Sequence, residues 1–133
     1  MAILRLIARK HKLEGSTDAE QNKVAVLEQQ VLDYFTAFIT FVHKQGSTEE
    51  EKAAFLTELA GQLEALSKFL GANNFAVGSQ FTYVDAWFYE YIHHLETTEI
   101  TKASVSKYAN LTSYLKRVEA LPQLAEYLKK VNA

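Results

Sequence analysis

The side chains best suited to metal or proton chemistry in this sequence are its four histidines, His11, His43, His93 and His94. None of them has the His-x3-His spacing that sets two imidazoles on one helix face around a metal ion. The sequence contains no cysteine, so it holds no thiol nucleophile, no disulfide and no cysteine-based zinc or iron–sulfur site. We therefore predict no metal site, and no catalytic group stands out by residue type.

A polar pair, Thr82 and Asp85, stands directly in front of an aromatic, almost wholly apolar segment. The first N–H groups of a helix lack partners within the helix, and inside a bundle they cannot reach water. A threonine hydroxyl and a carboxylate three residues later can satisfy such groups, and the carboxylate also complements the helix dipole. We interpret Thr82 and Asp85 as a structural N-cap and not as a catalytic pair.

Helices are the elements that must position these side chains. The sequence has one proline and five glycines, and no segment shows the alternation typical of a strand. Apolar residues recur instead at steps of three and four, the helical period. The predicted helices cover residues 2–11, 17–43, 48–70, 82–96, 110–121 and 122–131, and residues 97–107 are predicted as loop with a helical turn.

Charge and hydropathy exclude several classes of protein. The formal net charge is −2 and the pI is about 6.1, whereas a nucleic-acid binder normally carries a basic excess or stripe. The richest apolar stretch, residues 34–42, is far shorter than the roughly 20 residues that span a bilayer. At the N-terminus the basic residues follow the apolar ones, the reverse of a signal peptide. We predict a soluble cytoplasmic domain that binds neither nucleic acid nor membrane.

Three segments together resemble the glutathione transferase family, specifically its helical C-terminal domain. They are AILRLIARKHKLEG, GANNFAVGSQFTYVDAWFYEYI and NLTSYLKRVEALPQLAEYLKK, in the family's order along essentially the whole chain. The mu class is most similar, and the sigma class is the near alternative. The resemblance implies an all-α bundle of about five to seven helices without the N-terminal thioredoxin-like domain. Residues 1–12 would be that domain's last helix, and residues 13–133 the helical domain.

The family joins glutathione to hydrophobic electrophiles, a detoxification reaction. In the family, a tyrosine or serine hydroxyl of the thioredoxin-like domain stabilises the glutathione thiolate, and a Gln-Ser pair holds the γ-glutamyl end. Neither motif occurs in this sequence, so we assign no catalytic residue and no cofactor, glutathione being a co-substrate of the full-length parent. The chain alone is expected to be inactive. The alternative is a non-enzymatic interaction module, and an unrelated ligand-binding bundle is a third interpretation.

The resemblance also assigns residues of the long second helix. It places Leu32, Thr36, Ile39 and His43 on one wall of the hydrophobic substrate pocket, and their spacing is consistent with a single helix face. His43 stands where mu-class enzymes usually carry a tyrosine, and it is otherwise a histidine at a helix C-terminus. Asp33 matches a carboxylate that faces the glutathione of the neighbouring subunit.

The same helix carries the aromatic run Tyr34, Phe35, Phe38 and Phe41. An uncovered apolar patch of several hundred Å² usually finds a partner. We predict that these rings form an exposed face through which the chain forms a homo-oligomer, and that hydrophobic small molecules are possible ligands. Arg5 is interpreted as an ordinary solvated charge, as is its neighbour one turn later, Arg9.

Overall fold

The computed structural model describes residues 2–131, which form seven α-helices and, over that range, no β-strand. The all-α prediction and the expected number of helices are confirmed. The predicted boundaries at residues 1 and 133 lie outside the described residues, and the division at residue 12 stays a prediction. In chain order the helices are α1 (Ala2–Lys10), α2 (Asp18–His43), α3 (Glu49–Leu70), α4 (Tyr83–Thr97), α5 (Lys102–Ser106), α6 (Ala109–Glu119) and α7 (Pro122–Val131).

Short polar side chains begin the two long helices. The Thr17 hydroxyl accepts the Glu20 N–H at 3.1 Å and so caps α2. The Glu20 carboxylate accepts the Ser16 N–H and the Ser16 hydroxyl, both at 2.8 Å, one residue before the Thr17 N–H that it would hold in a capping box. At α3 the reciprocal pair is complete, since Thr48 accepts the Glu51 N–H and Glu51 accepts the Thr48 N–H, both at 3.1 Å. These caps set where α2 and α3 enter the bundle.

Helix α4 lies at the centre of the bundle, in contact with α1, α2, α5 and α6. Its Val84, Phe88, Tyr91, Ile92 and Leu95 side chains are fully buried. A helix that is apolar on most of its circumference must be covered on several sides, and the neighbouring helices cover this one. Over the described residues, no helix combines the length and apolar character that crossing a membrane requires.

The aromatic run of α2 is packed inside the bundle, and the prediction of an exposed aromatic face is wrong. Phe38 is only 2% exposed, and Tyr34 and Phe35 pack partly buried against the core. The Phe41 ring stacks face to face on Phe55 of α3, with the ring centroids 4.1 Å apart. Side chains of α3 and α4 approach α2 from two sides, so its wide apolar surface is largely covered.

Candidate functional site

An apolar groove runs along the seam between α2 and α4, where α1 closes one side. Its cavity measures about 370 Å³, within the range of small-molecule sites in proteins. Apolar side chains form most of the wall, and a carboxylate and an imidazole complete it. The lining residues are Leu4, Phe35, Ala86, Trp87, Glu90 and His94.

Aromatic rings dominate the geometry of this groove. The Phe35 ring meets Trp87 edge to face, with centroids 5.9 Å apart, and lies 5.4 Å from the His94 ring. The His94 Nε2 atom is 3.4 Å from a carboxylate oxygen of Glu90. Ring faces and edges of this kind favour flat apolar ligands. The groove can therefore hold an apolar molecule, while Glu90 and His94 offer polar contacts.

The four residues predicted as a pocket wall form a strip of α2 beside this groove but do not line it. Leu32 is half-buried, and Thr36, Ile39 and His43 are exposed. The Thr36 hydroxyl donates to the Leu32 carbonyl at 2.8 Å, and His43 Nδ1 lies 2.9 Å from the Ile39 carbonyl. Phe35, three residues after Leu32 and four before Ile39, joins the strip to the groove. Their role in binding substrate stays a prediction.

Asp33 lies on the exposed surface of α2, where the Gln29 side-chain amide donates to its carboxylate at 2.9 Å. The predicted contact with a neighbouring glutathione stays a prediction. Among residues 2–131, no three histidine, aspartate or glutamate side chains are grouped so that they could hold a metal ion. The polar groups of this region thus form local pairs.

Asp85 ties the start of α4 to two other parts of the chain. Its fully buried carboxylate accepts the Thr82 N–H at 2.9 Å, the Ala76 N–H at 2.8 Å and the Tyr114 hydroxyl at 2.7 Å. Burial raises the pKa of Asp85, and the bonds from Thr82, Ala76 and Tyr114 oppose that rise. The geometry is that of a structural anchor, because the donors to both carboxylate oxygens are groups of this chain.

We expect Thr82→Ala to lower the free energy of unfolding by about 1 kcal/mol, the usual net contribution of one hydrogen bond. The Thr82 hydroxyl donates to Asp85 Oδ2 at 3.3 Å, while the Thr82 N–H holds the same oxygen at 2.9 Å and survives the substitution. Urea unfolding of the two proteins measures the difference. A loss above about 3 kcal/mol would contradict this secondary role for the hydroxyl.

An ionic cluster around a buried carboxylate joins α1, α2 and α4, and residue patterns alone did not reveal it. Glu28 of α2 is only 2% exposed. One of its carboxylate oxygens accepts from the Arg5 guanidinium, whose Nε atom is 2.8 Å away, and the other accepts the Tyr83 hydroxyl. The interpretation of Arg5 as an ordinary solvated charge is incomplete, because its side chain is 56% exposed but its guanidinium pairs with a buried carboxylate. Arg9 remains largely exposed, 3.7 Å from Glu14.

The contacts of Tyr83 in this cluster predict that the free energy of unfolding depends on pH. Burial, followed by the hydrogen bond to Glu28 and its charge, raises the pKa of Tyr83 from 10.0 to about 12. Between these values the folded protein keeps a proton that the unfolded chain loses, so stability falls as the pH rises. Tyr83→Phe lacks the titrating hydroxyl, so its free energy of unfolding should fall by about 2 kcal/mol less than that of wild type as the pH rises. Urea unfolding at pH 9 and pH 11.5 tests this, and equal losses in both proteins would contradict it.

The fold and the groove define the class of this protein as an all-helical domain with an aromatic groove between two of its helices. Residues 32–131 match the family model of the glutathione S-transferase C-terminal domain. The chain therefore belongs to the glutathione S-transferase family and carries its helical C-terminal domain.

Individual relatives agree with this assignment. A glutathione S-transferase of the mite Dermatophagoides pteronyssinus is 35% identical over 129 residues, which are 97% of this chain and 58% of that protein. Human glutathione S-transferase Mu 3 is 35% identical over 96% of this chain and 56% of its own length. The Onchocerca volvulus Pi-class enzyme has the same fold, with a TM-score of 0.85 at 24% identity over 98% of this chain and 64% of that chain. This chain thus spans little more than half of its curated relatives.

Proposed function

We propose that this chain is the substrate-binding helical part of a mu-like glutathione transferase, and that the groove between α2 and α4 takes the hydrophobic electrophile. The observation that carries the proposal is the groove itself, an aromatic cavity of about 370 Å³ lined by Phe35 and Trp87. The strip from Leu32 to His43 would extend its wall along α2. A sigma-like assignment is the near alternative, and a detoxification role and cytoplasmic location remain expectations from the resemblance.

The chain alone is proposed to bind such molecules without conjugating them. The side chains that line the groove include no serine, threonine or tyrosine, so none of them supplies the hydroxyl that, by resemblance, stabilises the glutathione thiolate. By resemblance, that donor belongs to the thioredoxin-like domain. Glutathione is accordingly a co-substrate of the full-length parent and not a cofactor of these residues.

The apolar fluorescent probe anilinonaphthalene sulfonate tests the groove directly, because Trp87 is the only tryptophan in the sequence. A probe bound in the groove takes up Trp87 excitation by energy transfer. Ala86→Phe fills the groove from an exposed position, and Ala120→Phe is the matched change on an exposed alanine after α6. We expect saturable transfer that Ala86→Phe weakens and Ala120→Phe leaves unchanged. Equal binding in all three proteins would reject the groove as the site.

A second candidate function, that of an interaction module, is favoured by the outer face of α1. Ile3 and Leu6 are 77% and 67% exposed, and Ile7 is 49% exposed. Their spacing sets them on one side of the helix, opposite the buried Ala8. Because apolar clusters at a surface generally mark a contact, we propose that a second copy of the chain packs on this face.

Light scattering tests this self-association. At tens of micromolar we expect the mass of a dimer, and Leu6→Glu should return the mass of a monomer because it places a charge in the contact. The exposed Val26 of α2 offers a control, since Val26→Glu changes an apolar surface residue outside this face. A wild-type monomer, or a dimer that survives Leu6→Glu, would contradict the proposal.

A further inference from the structure

The cluster of Arg5, Glu28 and Tyr83 lies on the same three helices that line the groove; its carboxylate and phenol are buried, and the Arg5 side chain is 56% exposed. Leu4 of α1 directly precedes Arg5, and Phe35 of α2 follows Glu28 by seven residues, two helical turns. On α4, the groove residues Trp87, Glu90 and His94 follow Tyr83 by four, seven and eleven residues. These intervals keep residues on one side of a helix. On α2 and α4, the cluster therefore continues the stripe that forms the groove.

Glu28 is the member of the cluster that contacts both other helices. Its carboxylate is almost fully buried, and its two oxygens are divided between the Arg5 guanidinium of α1 and the Tyr83 hydroxyl of α4. A buried carboxylate without its cation is strongly unfavourable. Any movement that carries α1 away from α2 must break this pair, so the pair fixes the position of α1.

The position of α1 decides whether Leu4 lines the groove. Few other contacts fix this helix. Its residue Ala8 is buried, and Tyr83 N–H donates to the Leu13 carbonyl, just after α1, at 2.8 Å. The outer apolar residues Ile3, Leu6 and Ile7 are 77%, 67% and 49% exposed, so they add little to the packing of α1. The polar cluster therefore acts together with Ala8 and the hydrogen bond to the Leu13 carbonyl in setting the rotation and depth of Leu4.

We propose that Arg5 and Glu28 are positioning residues for the ligand groove, and that their ion pair holds the Leu4 wall against Phe35 and Trp87. This inference rests on the proposed function of the groove. Neither residue touches the groove itself, so both act through α1. Loss of the pair opens one side of the groove, exposes the Trp87 indole to solvent and weakens the binding of apolar ligands.

The test compares Arg5→Met with Arg9→Met. Both changes remove one positive charge from α1, but the Arg9 side chain is 72% exposed and lies 3.7 Å from its nearest carboxylate. We expect Arg5→Met to raise the dissociation constant of anilinonaphthalene sulfonate about fivefold, the scale of one lost apolar contact, and to increase acrylamide quenching of Trp87. Arg9→Met should change neither, and Arg5→Lys should fall between wild type and Arg5→Met, because it keeps the charge but loses the paired N–H donors of the guanidinium.

Glu28→Gln provides a second route, because its amide oxygen can still accept the Tyr83 hydroxyl while the charge is lost. We expect it to resemble Arg5→Met. Helical circular dichroism confirms that each variant is folded at the measuring temperature. If Arg5→Met and Arg9→Met behave alike in both readouts, the inference is wrong. If wild type fails to bind the probe, the proposed function fails, while acrylamide quenching, which needs no ligand, still decides whether Arg5 positions α1.

Discussion

Asp85→Ala is expected to lower the free energy of unfolding by about 3–5 kcal/mol, the largest effect of any polar substitution in this domain. The change leaves the Thr82 N–H and the Ala76 N–H without their acceptor, and it takes from the Tyr114 hydroxyl the nearer of two acceptors, the other being the backbone carbonyl of residue 85 at 3.2 Å. These groups are shut away from water, so each loses a bond that solvent cannot replace. Urea unfolding followed by circular dichroism measures the loss.

Two further variants separate the effect of burial on stability from the effect of charge. Asp33→Ala removes an exposed aspartate and should change stability by less than about 0.5 kcal/mol. Asp85→Asn keeps one carbonyl oxygen as an acceptor and should lie between wild type and Asp85→Ala. A similar, small loss for Asp33→Ala and Asp85→Ala would show that the Asp85 contacts do not hold the start of α4.

Phe88→Ala should destabilise the domain by about 3–5 kcal/mol, because it opens a cavity in a close-packed core. Phe88 is fully buried on α4, and its ring lies 5.0 Å from that of Tyr114 on α6. Tyr127→Ala on α7 is the matched aromatic control, since Tyr127 is 61% exposed, and it should cost less than about 1 kcal/mol. If the two variants unfold at the same urea concentration, α4 is not the centre of the core.

Local signals account for how well the helices could be predicted. The Thr17 and Thr48 caps and the proline at the first position of α7 act within a few residues of themselves, so the sequence reveals them without knowledge of the fold. Gly71 is also such a signal, and it ends α3 with a φ of 54°. Residues 97–107 lack a strong cap or period, and the short helix α5 within them was correspondingly harder to predict.

The groove and the ionic cluster depend on contacts that no local pattern carries. Phe35 and Trp87 are far apart in the sequence and meet only because α2 packs on α4. Helical phase correctly groups Leu32 with Ile39, but it does not say which helix lies beside them. Glu28 looks like any surface glutamate in the sequence, and only the approach of Arg5 and Tyr83 accounts for its burial.

The difference between local patterns and long-range contacts also explains why the exposed aromatic face of α2 was wrongly predicted. Its composition shows that Phe38 and Phe41 need cover, but composition does not identify what supplies it. The structure assigns that cover to α4 and to Phe55 of α3. Among the described residues, the most exposed large apolar side chains are Ile3 and Leu6 of α1.

The central claim is that this chain holds the apolar ligand of a glutathione transferase but not its glutathione. Calorimetric titration of the purified chain with glutathione, beside a titration with anilinonaphthalene sulfonate and a chlorodinitrobenzene conjugation assay, tests that claim most directly. We predict saturable heat from the apolar probe, none from glutathione and no conjugation above the uncatalysed rate. Binding of glutathione, or catalysed conjugation, would contradict the account, because it would require a thiolate-stabilising site within these helices.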